Sequence, residues 1–355
     1  MEDIAELFGR LWPDCGPTPL IELPQLARLC GVARVFVKDE SRRPLGSFKS
    51  LGGTYAGMRA LARAMGDSTV AALITARPEQ RVLPTLICAS AGNHGLAVAA
   101  AAEIAGAKAR IYLAGAAAEA RVRRLTVRGA QVVRVAGAYD DAVEAADLAA
   151  AQGDGLLIAD IADSWDDQAV RDVMAGYDLM AREIVKQLPN LSDAAPTHVF
   201  VQAGVGGLAA ALAHGLCGRL ALAPKIVVVE PSAARCVAAG IAARRPVRLL
   251  GDPTSAAEML SCARASAPAL DILLRHNACA IGVDEAMLLT AVAHLRQAGG
   301  PATSPSGATG LAGLLAARRR PAEADDVLAD SQVLLIVTEG PTADLAQLAS
   351  DTVYR

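Results

Sequence analysis

The sequence predicts an α/β fold, an open and mainly parallel sheet divided over two domains. Three observations predict it. Short apolar runs alternate with Ala-rich amphipathic stretches along most of the chain. The length of 355 residues is large for one hydrophobic core. Breaks rich in charge or proline fall at 76–84, 188–196 and 244–253, and the first two bracket four of the apolar runs.

Each run reads as a strand because it is short, apolar and bounded by turn residues. In chain order the runs are 35–38, 86–89, 108–113, 131–135, 156–158, 198–202, 225–230 and 333–338. The intervening stretches read as helices over 52–65, 95–105, 118–128, 139–152, 169–187, 208–216, 233–239, 284–297 and 307–318. Strand then helix, repeated, implies right-handed crossovers and parallel pairing. The bracketed piece becomes a small inserted domain over 84–177. The large domain is then discontinuous, 1–83 with 178–355.

A formal net charge of −3 leaves no footprint for nucleic acid or an anionic membrane as partner. No apolar tract reaches the length of a membrane span. The opening MEDIAELFGRLW has acids where a secretory leader has a positive charge. Seven cysteines are scattered without C-x-x-C spacing, which reads as thiols in a reducing compartment. A cytoplasmic location is expected. His198, His214, His276 and His294 lack metal-ligand spacing, so no metal is expected. Asp163, Asp166 and Asp167 read as a solvated face or a helix start, and Arg121, Arg123, Arg124 and Arg128 as an exposed helical face.

Four segments carry chemistry. The first, RRPLGSFKSLGG over 42–53, sets Lys49 after a Pro-Gly break at the start of a helix. A buried ammonium is costly unless it neutralises or becomes an imine. A helix start lowers a lysine pKa further. Lysine is scarce in this Arg-rich chain, and arginine cannot form an imine. A solvated surface lysine is the other reading of Lys49 taken alone.

The second segment, Ala89-Ser90-Ala91-Gly92-Asn93-His94-Gly95, joins a strand to a helix. Open α/β sheets place ligands at such strand ends, and N–H groups at a helix start suit an anion. A plain capped turn would look the same. The third is Gln202-Ala203-Gly204-Val205-Gly206-Gly207-Leu208. Its glycines expose successive backbone N–H groups, a phosphate cradle. A dinucleotide loop stays open too, with Glu230 in range of the usual acid. The fourth, Leu334-Leu335-Ile336-Val337-Thr338-Glu339-Gly340, ends a strand in a hydroxyl. Thr338 can bond a heterocyclic nitrogen or simply close the strand.

Taken in order, these segments resemble the tryptophan-synthase-β type of pyridoxal-phosphate (PLP) enzymes. The motifs P-x-G-S-F-K-S-x-G-G, S-A-G-N-H-G and G-V-G-G-L carry the resemblance. A closer similarity is to the diaminopropionate ammonia-lyase family, through 47–56, 173–177, 196–207, 306–311 and 338–340. It covers most of the chain and is weaker over 253–300. The resemblance implies the two-domain fold of that PLP type and PLP as cofactor. It implies a small amino-acid substrate and β-elimination, most simply L-2,3-diaminopropionate to pyruvate and ammonia.

Residue by residue, it implies Lys49 as the Schiff-base lysine and general base. Asn93 would touch the cofactor O3′, and Gly204, Val205, Gly206 and Gly207 would hold its phosphate. Thr338 would face its pyridine nitrogen. Ser90, Ala91, Gly92, Asn93 and His94 would form the substrate-carboxylate loop. Asp160 falls where the family has a carboxylate near the substrate, with Asp163 close by. A homodimer follows from the same analogy.

One position departs from the family. The Asp before G-N-H-G, tied there to handling the D-isomer, is Ala91 here, and a methyl group moves no proton. The loop is then nearer to L-serine and L-threonine dehydratases. Three outcomes stand open: an L-only diaminopropionate enzyme, a dehydratase or β-replacing synthase of the same fold, or a cofactor-binding protein without turnover. A nucleotide-binding dehydrogenase built on Gly204–Gly207 leaves the S-F-K-S segment without a role.

Overall fold

The strands gather into two separate sheets. The computed structural model describes residues 3–75, 82–188, 195–251, 253–319 and 327–341. The chain opens with α1 (Ile4–Leu11), β1 (Leu20–Glu22), α2 (Pro24–Cys30) and β2 (Arg34–Asp39). It continues through α3 (Lys49–Ala64), α4 (Val70–Thr75), β3 (Leu86–Cys88), α5 (Asn93–Ala105) and β4 (Ala109–Ala114). Next come α6 (Glu119–Thr126), β5 (Gln131–Val135), α7 (Tyr139–Ala151), β6 (Leu156–Leu157) and α8 (Gln168–Gln187). The last stretch holds β7 (His198–Gln202), α9 (Gly207–Cys217), β8 (Lys225–Pro231), α10 (Cys236–Ala243) and α11 (Ala267–Arg275). It closes with β9 (Cys279–Val283), α12 (Glu285–Gln297), α13 (Pro305–Arg318) and β10 (Gln332–Val337).

Two compact units divide the chain. One comprises Met1–Gly16, Lys49–Ala162 and Asp166–Leu179; the other comprises Pro17–Phe48, Asp163–Trp165 and Met180–Arg355. The first carries a four-stranded parallel sheet in the order β5-β4-β3-β6. Its strands are the four runs bracketed in the sequence. Ile87 and Tyr112 from the sheet pack with Ala142, Ala146 and Ala149 of α7. The main stretch of this unit starts at Lys49, where the sequence suggests 84, because α3 lies along α5. A Cβ on Gly53 would stand 2.6 Å from the Ala97 Cβ, and one on Gly57 would stand 2.7 Å from the Ala101 Cβ. Only glycine permits that approach.

The second unit carries a six-stranded sheet in the order β1-β2-β10-β7-β8-β9. Only β1 runs antiparallel to its neighbour. Strands β2, β7, β8 and β10 are buried almost end to end, as parallel strands covered on both faces must be. Val35, Val37, Phe200, Val229 and Leu335 meet Leu288 and Leu314 from the covering helices. Buried charge lies in this unit as well. Arg43 donates to Glu40 and Glu183, while Lys38 Nζ donates to Glu183 and the Thr18 carbonyl at 2.7 Å and to Gln187 at 2.9 Å. Every charge in the cluster has an opposite neighbour, the condition under which burial is tolerated.

Each strand and helix expected from the sequence is present, within a few residues. Beyond them the structure adds β1, β9, α1, α2, α4 and α11. Most of the break at 76–84 and of that at 188–196 lies outside the described residues. Among the described residues no disulfide joins the cysteines, and no helix is long and apolar enough to cross a membrane.

Candidate active site

In the first unit, β3 ends at Cys88 and the chain turns through Ala89–Gly92 into α5 at Asn93. The Gly92 N–H donates to Ser90 Oγ at 3.2 Å, which folds the loop back on itself. A Cβ on Gly95 would run into the Ser90 carbonyl oxygen, so the loop lies directly on the first turn of the helix. Gly92, the residue before that helix, has no side chain with which to cap it. The leading N–H groups of the helix are therefore suited to an anionic ligand group. His94 is buried, and its Nε2 lies 2.9 Å from the Ile158 carbonyl. A carbonyl only accepts, so Nε2 carries the hydrogen and Nδ1 keeps its lone pair. Burial pushes the His94 pKa down, and the ring is neutral at ordinary pH.

Lys49 is the first residue of α3, and its Nζ lies 2.5 Å from Asp160 Oδ2. Both side chains are about one-fifth exposed, 22% and 21%, so the pair is shielded yet open to a small molecule. Burial alone would raise the Asp160 pKa. The Lys49 ammonium outweighs that and holds the carboxyl well below the usual range. Asp163 has no part in this pair; it bonds Arg264 at 2.8 Å. The aromatic ring of Tyr177 lies 6.0 Å from Lys49 Nζ, in cation–π range. Its hydroxyl is pushed up to about 12 by burial. Glycines bring α3 and α8 together here: a Cβ on Gly176 would stand 2.5 Å from the Leu51 carbonyl oxygen, and one on Gly52 would strike the Tyr177 ring.

The second unit holds the other candidates. β7 ends at Gln202, and Gly204, Val205 and Gly206 lead into α9 at Gly207. Gly206 has φ +97°, a conformation that side chains resist, and as the residue before α9 it has no side chain to cap it. A Cβ on Gly204 would stand 2.9 Å from Cys262 Sγ. The Cys236 thiol donates to the Gly204 carbonyl at 3.2 Å, and the Ser266 N–H donates to the Val205 carbonyl at 2.9 Å. The loop carbonyls are thus turned to the protein, which leaves the N–H side for an anion. Thr338 follows β10. Its carbonyl accepts from the Phe48 N–H at 3.1 Å, and its Oγ1 accepts from Gln202 Nε2 at 3.1 Å.

The first unit therefore brings together Lys49, Asp160, His94 and the Ser90–Asn93 loop. The second brings together Gly204–Gly207 and Thr338, through the adjacent ends of β7 and β10. Ala91 offers no titratable group. Two neighbours, Tyr177 and Gln202, had no role assigned from the sequence. They stood inside the segments at 173–177 and 196–207, but their partners lie more than a hundred residues away in the chain. The first unit offers a primary amine beside a carboxylate and a helix start led by glycine, which suit a carbonyl group and an anion; the second offers a glycine-led helix start and a neutral hydroxyl, which suit a phosphate and a heterocyclic nitrogen.

Comparison with known proteins gives concordant findings. The model of the family described as "Pyridoxal-phosphate dependent enzyme" matches residues 11–339. A diaminopropionate ammonia-lyase from Salmonella typhimurium is 30% identical, over 95% of this chain and 88% of its own length. One from Escherichia coli K12 is 32% identical, over 96% and 88%. The crystal structure of diaminopropionate ammonia lyase from Escherichia coli in complex with D-serine matches at a TM-score of 0.83 and 29% identity, covering 97% of this chain and 89% of that one.

Proposed function

This chain belongs to the pyridoxal-phosphate dependent enzyme family, and on that premise we propose an ammonia-lyase that converts L-2,3-diaminopropionate to pyruvate and ammonia. The diaminopropionate ammonia-lyases similar to it over most of their length support the reaction class. The observation that carries the reading is the Lys49–Asp160 pair at 2.5 Å. It joins an amine able to bind a carbonyl with a shielded carboxylate able to bind a second amine.

The donors of each unit fit a part of PLP. Lys49 would attach it, Asn93 would bond its O3′, Gly204, Val205, Gly206 and Gly207 would hold its phosphate, and Thr338 would meet its pyridine nitrogen. When bound, the cofactor supplies an electron sink for the substrate α-carbon. The remaining work belongs to the protein. Lys49 Nζ takes the α-proton as general base. N–H groups of the Ser90–Asn93 loop and α5 orient the α-carboxylate. Asp160 is held ionised beside a cation, so it can accept the β-ammonium of the substrate in place of the Lys49 ammonium. Ala91 provides no base on its side, which restricts the reaction to the L-isomer. A cytoplasmic homodimer is part of the same proposal, and light scattering on the purified protein checks the dimer.

The test is pyruvate release by the PLP-loaded protein from L-2,3-diaminopropionate, D-2,3-diaminopropionate and L-serine, side by side. Turnover of the L-isomer alone is expected. The S-A-G-N-H loop favours a second reading, an L-serine/L-threonine dehydratase or β-replacing synthase. Turnover of serine with silence on both diaminopropionates would select it.

A further inference from the structure

We propose that Gln202 is a positioning residue: it fixes the direction of the Thr338 hydroxyl and thereby keeps the cofactor's ring nitrogen unprotonated. This rests on the reading of Thr338 as the partner of that nitrogen. Gln202 ends β7 and is 2% exposed. Its Nε2 lies 3.1 Å from the Ser306 carbonyl, 3.0 Å from those of Gly307 and Ile336, and 3.1 Å from Thr338 Oγ1. Three of these four neighbours are carbonyl oxygens, which only accept. Turning the amide over would set its own oxygen against them, so the nitrogen must face this way.

The two hydrogens of the amide are shared among these four acceptors. An amide nitrogen donates and does not accept, so in its contact with Thr338 the Oγ1 is the acceptor and the hydroxyl hydrogen must go elsewhere. Among the described residues that hydroxyl has no other hydrogen-bond partner. The amide orientation also leaves Gln202 Oε1 buried without a partner. That is a recognised cost, here incurred to keep the donor on this side. A neutral ring nitrogen would accept the Thr338 hydrogen. A protonated one would bring a second donor to the same oxygen and leave the hydroxyl hydrogen with no acceptor. The charged groups facing this end of β10 do not intervene. The Glu339 carboxylate bonds Ser304 Oγ, and the Asp39 carboxylate on the neighbouring strand takes the N–H and Oγ of Ser41.

The experiment is ¹⁵N NMR of the holoenzyme loaded with ring-¹⁵N PLP, from pH 6 to pH 9. Wild type is expected to show the shift of an unprotonated pyridine throughout. Gln202→Met is expected to let the nitrogen gain a proton at the acid end of that window, seen as an upfield shift absent in wild type. A protonated nitrogen in wild type at neutral pH would overturn the proposal with no variant needed. So would a Gln202→Met signal that follows wild type across the window. Thr338→Val separates the two levels. If it moves the signal while Gln202→Met does not, only the role of Gln202 fails; if Thr338→Val leaves the signal unmoved, the reading of Thr338 fails and the proposal with it.

Discussion

Asp160 and Asp163 are three residues apart in one polar stretch, yet they have different partners. Asp160 faces Lys49, and Asp163 faces Arg264. Asp160→Asn should raise KM for diaminopropionate on the order of 30-fold or more, since it removes one partner of a shielded charge pair. It should change KM for L-serine much less, because serine has no β-ammonium. Steady-state kinetics on both substrates checks this. Ala91→Asp restores a titratable group to the turn before Gly92 and is expected to create turnover of D-2,3-diaminopropionate. The gain in kcat/KM for that isomer should be on the order of 100-fold, the usual worth of one general base, measured by pyruvate release. At this scale the sequence singles out residues wherever a short motif carries them, as for Lys49, Asn93 and Gly204–Gly207, and the family resemblance adds Asp160. The Lys49–Asp160 contact itself and what Gln202 holds have no local signal, because both depend on partners distant in the chain.

Helix starts and crossings show the same division. The long helices were legible from apolar periodicity. β1 was not, being three residues of an antiparallel edge strand set between Pro19 and Pro24. β9 reads Cys-Ala-Ile-Gly-Val, with little of the β-branched signal, and its Gly282 is fixed by the Arg235 side chain, which a Cβ would meet at 2.8 Å. α10 starts at Cys236 rather than at 233 because the buried Glu230 carboxylate accepts the N–H groups of Val237 and Ala238 at 2.7 and 2.9 Å. A cap supplied from a strand has no local signature. Gly95→Ala is the clearest test of an element boundary. The new methyl would meet a backbone oxygen, which no rotamer can relieve. Destabilisation of about 3 kcal/mol is expected, at the upper end of overpacking costs and above the roughly 1 kcal/mol that alanine gains in helix propensity. Denaturant unfolding of the apoprotein measures it.

Across the whole molecule, mainly parallel pairing was legible from the alternation of strand and helix, and the four bracketed runs do form a sheet of their own. What the alternation could not reveal was the buried charge of the larger unit. Glu183 answers both Arg43 and Lys38. Burial tends to raise its pKa, but Arg43 and then Lys38 bring it below the ordinary value. A lowered folded pKa means that the stabilisation is complete above the unfolded value of about 4.3 and drains away as pH falls through the folded one. Glu183→Ala should cost about 3–5 kcal/mol at neutral pH, because two buried cations lose a partner. The gap to wild type should narrow in acid, as read from unfolding curves between pH 3 and pH 7.

The strand order of the larger sheet sets a timetable for synthesis. β10 lies between β2 and β7, and Arg34 of β2 pairs with Gln332 near the far end of the chain. A growing chain leaving the ribosome can close the four-stranded sheet once residue 179 has emerged. β1 and β2 are made before it, and the far edge of β2 must wait unpaired until β10, the last of the described strands, appears. Early strands held open for a late partner are exposed to the wrong neighbours. Production of this protein is therefore most vulnerable during translation of the interval between β2 and β10.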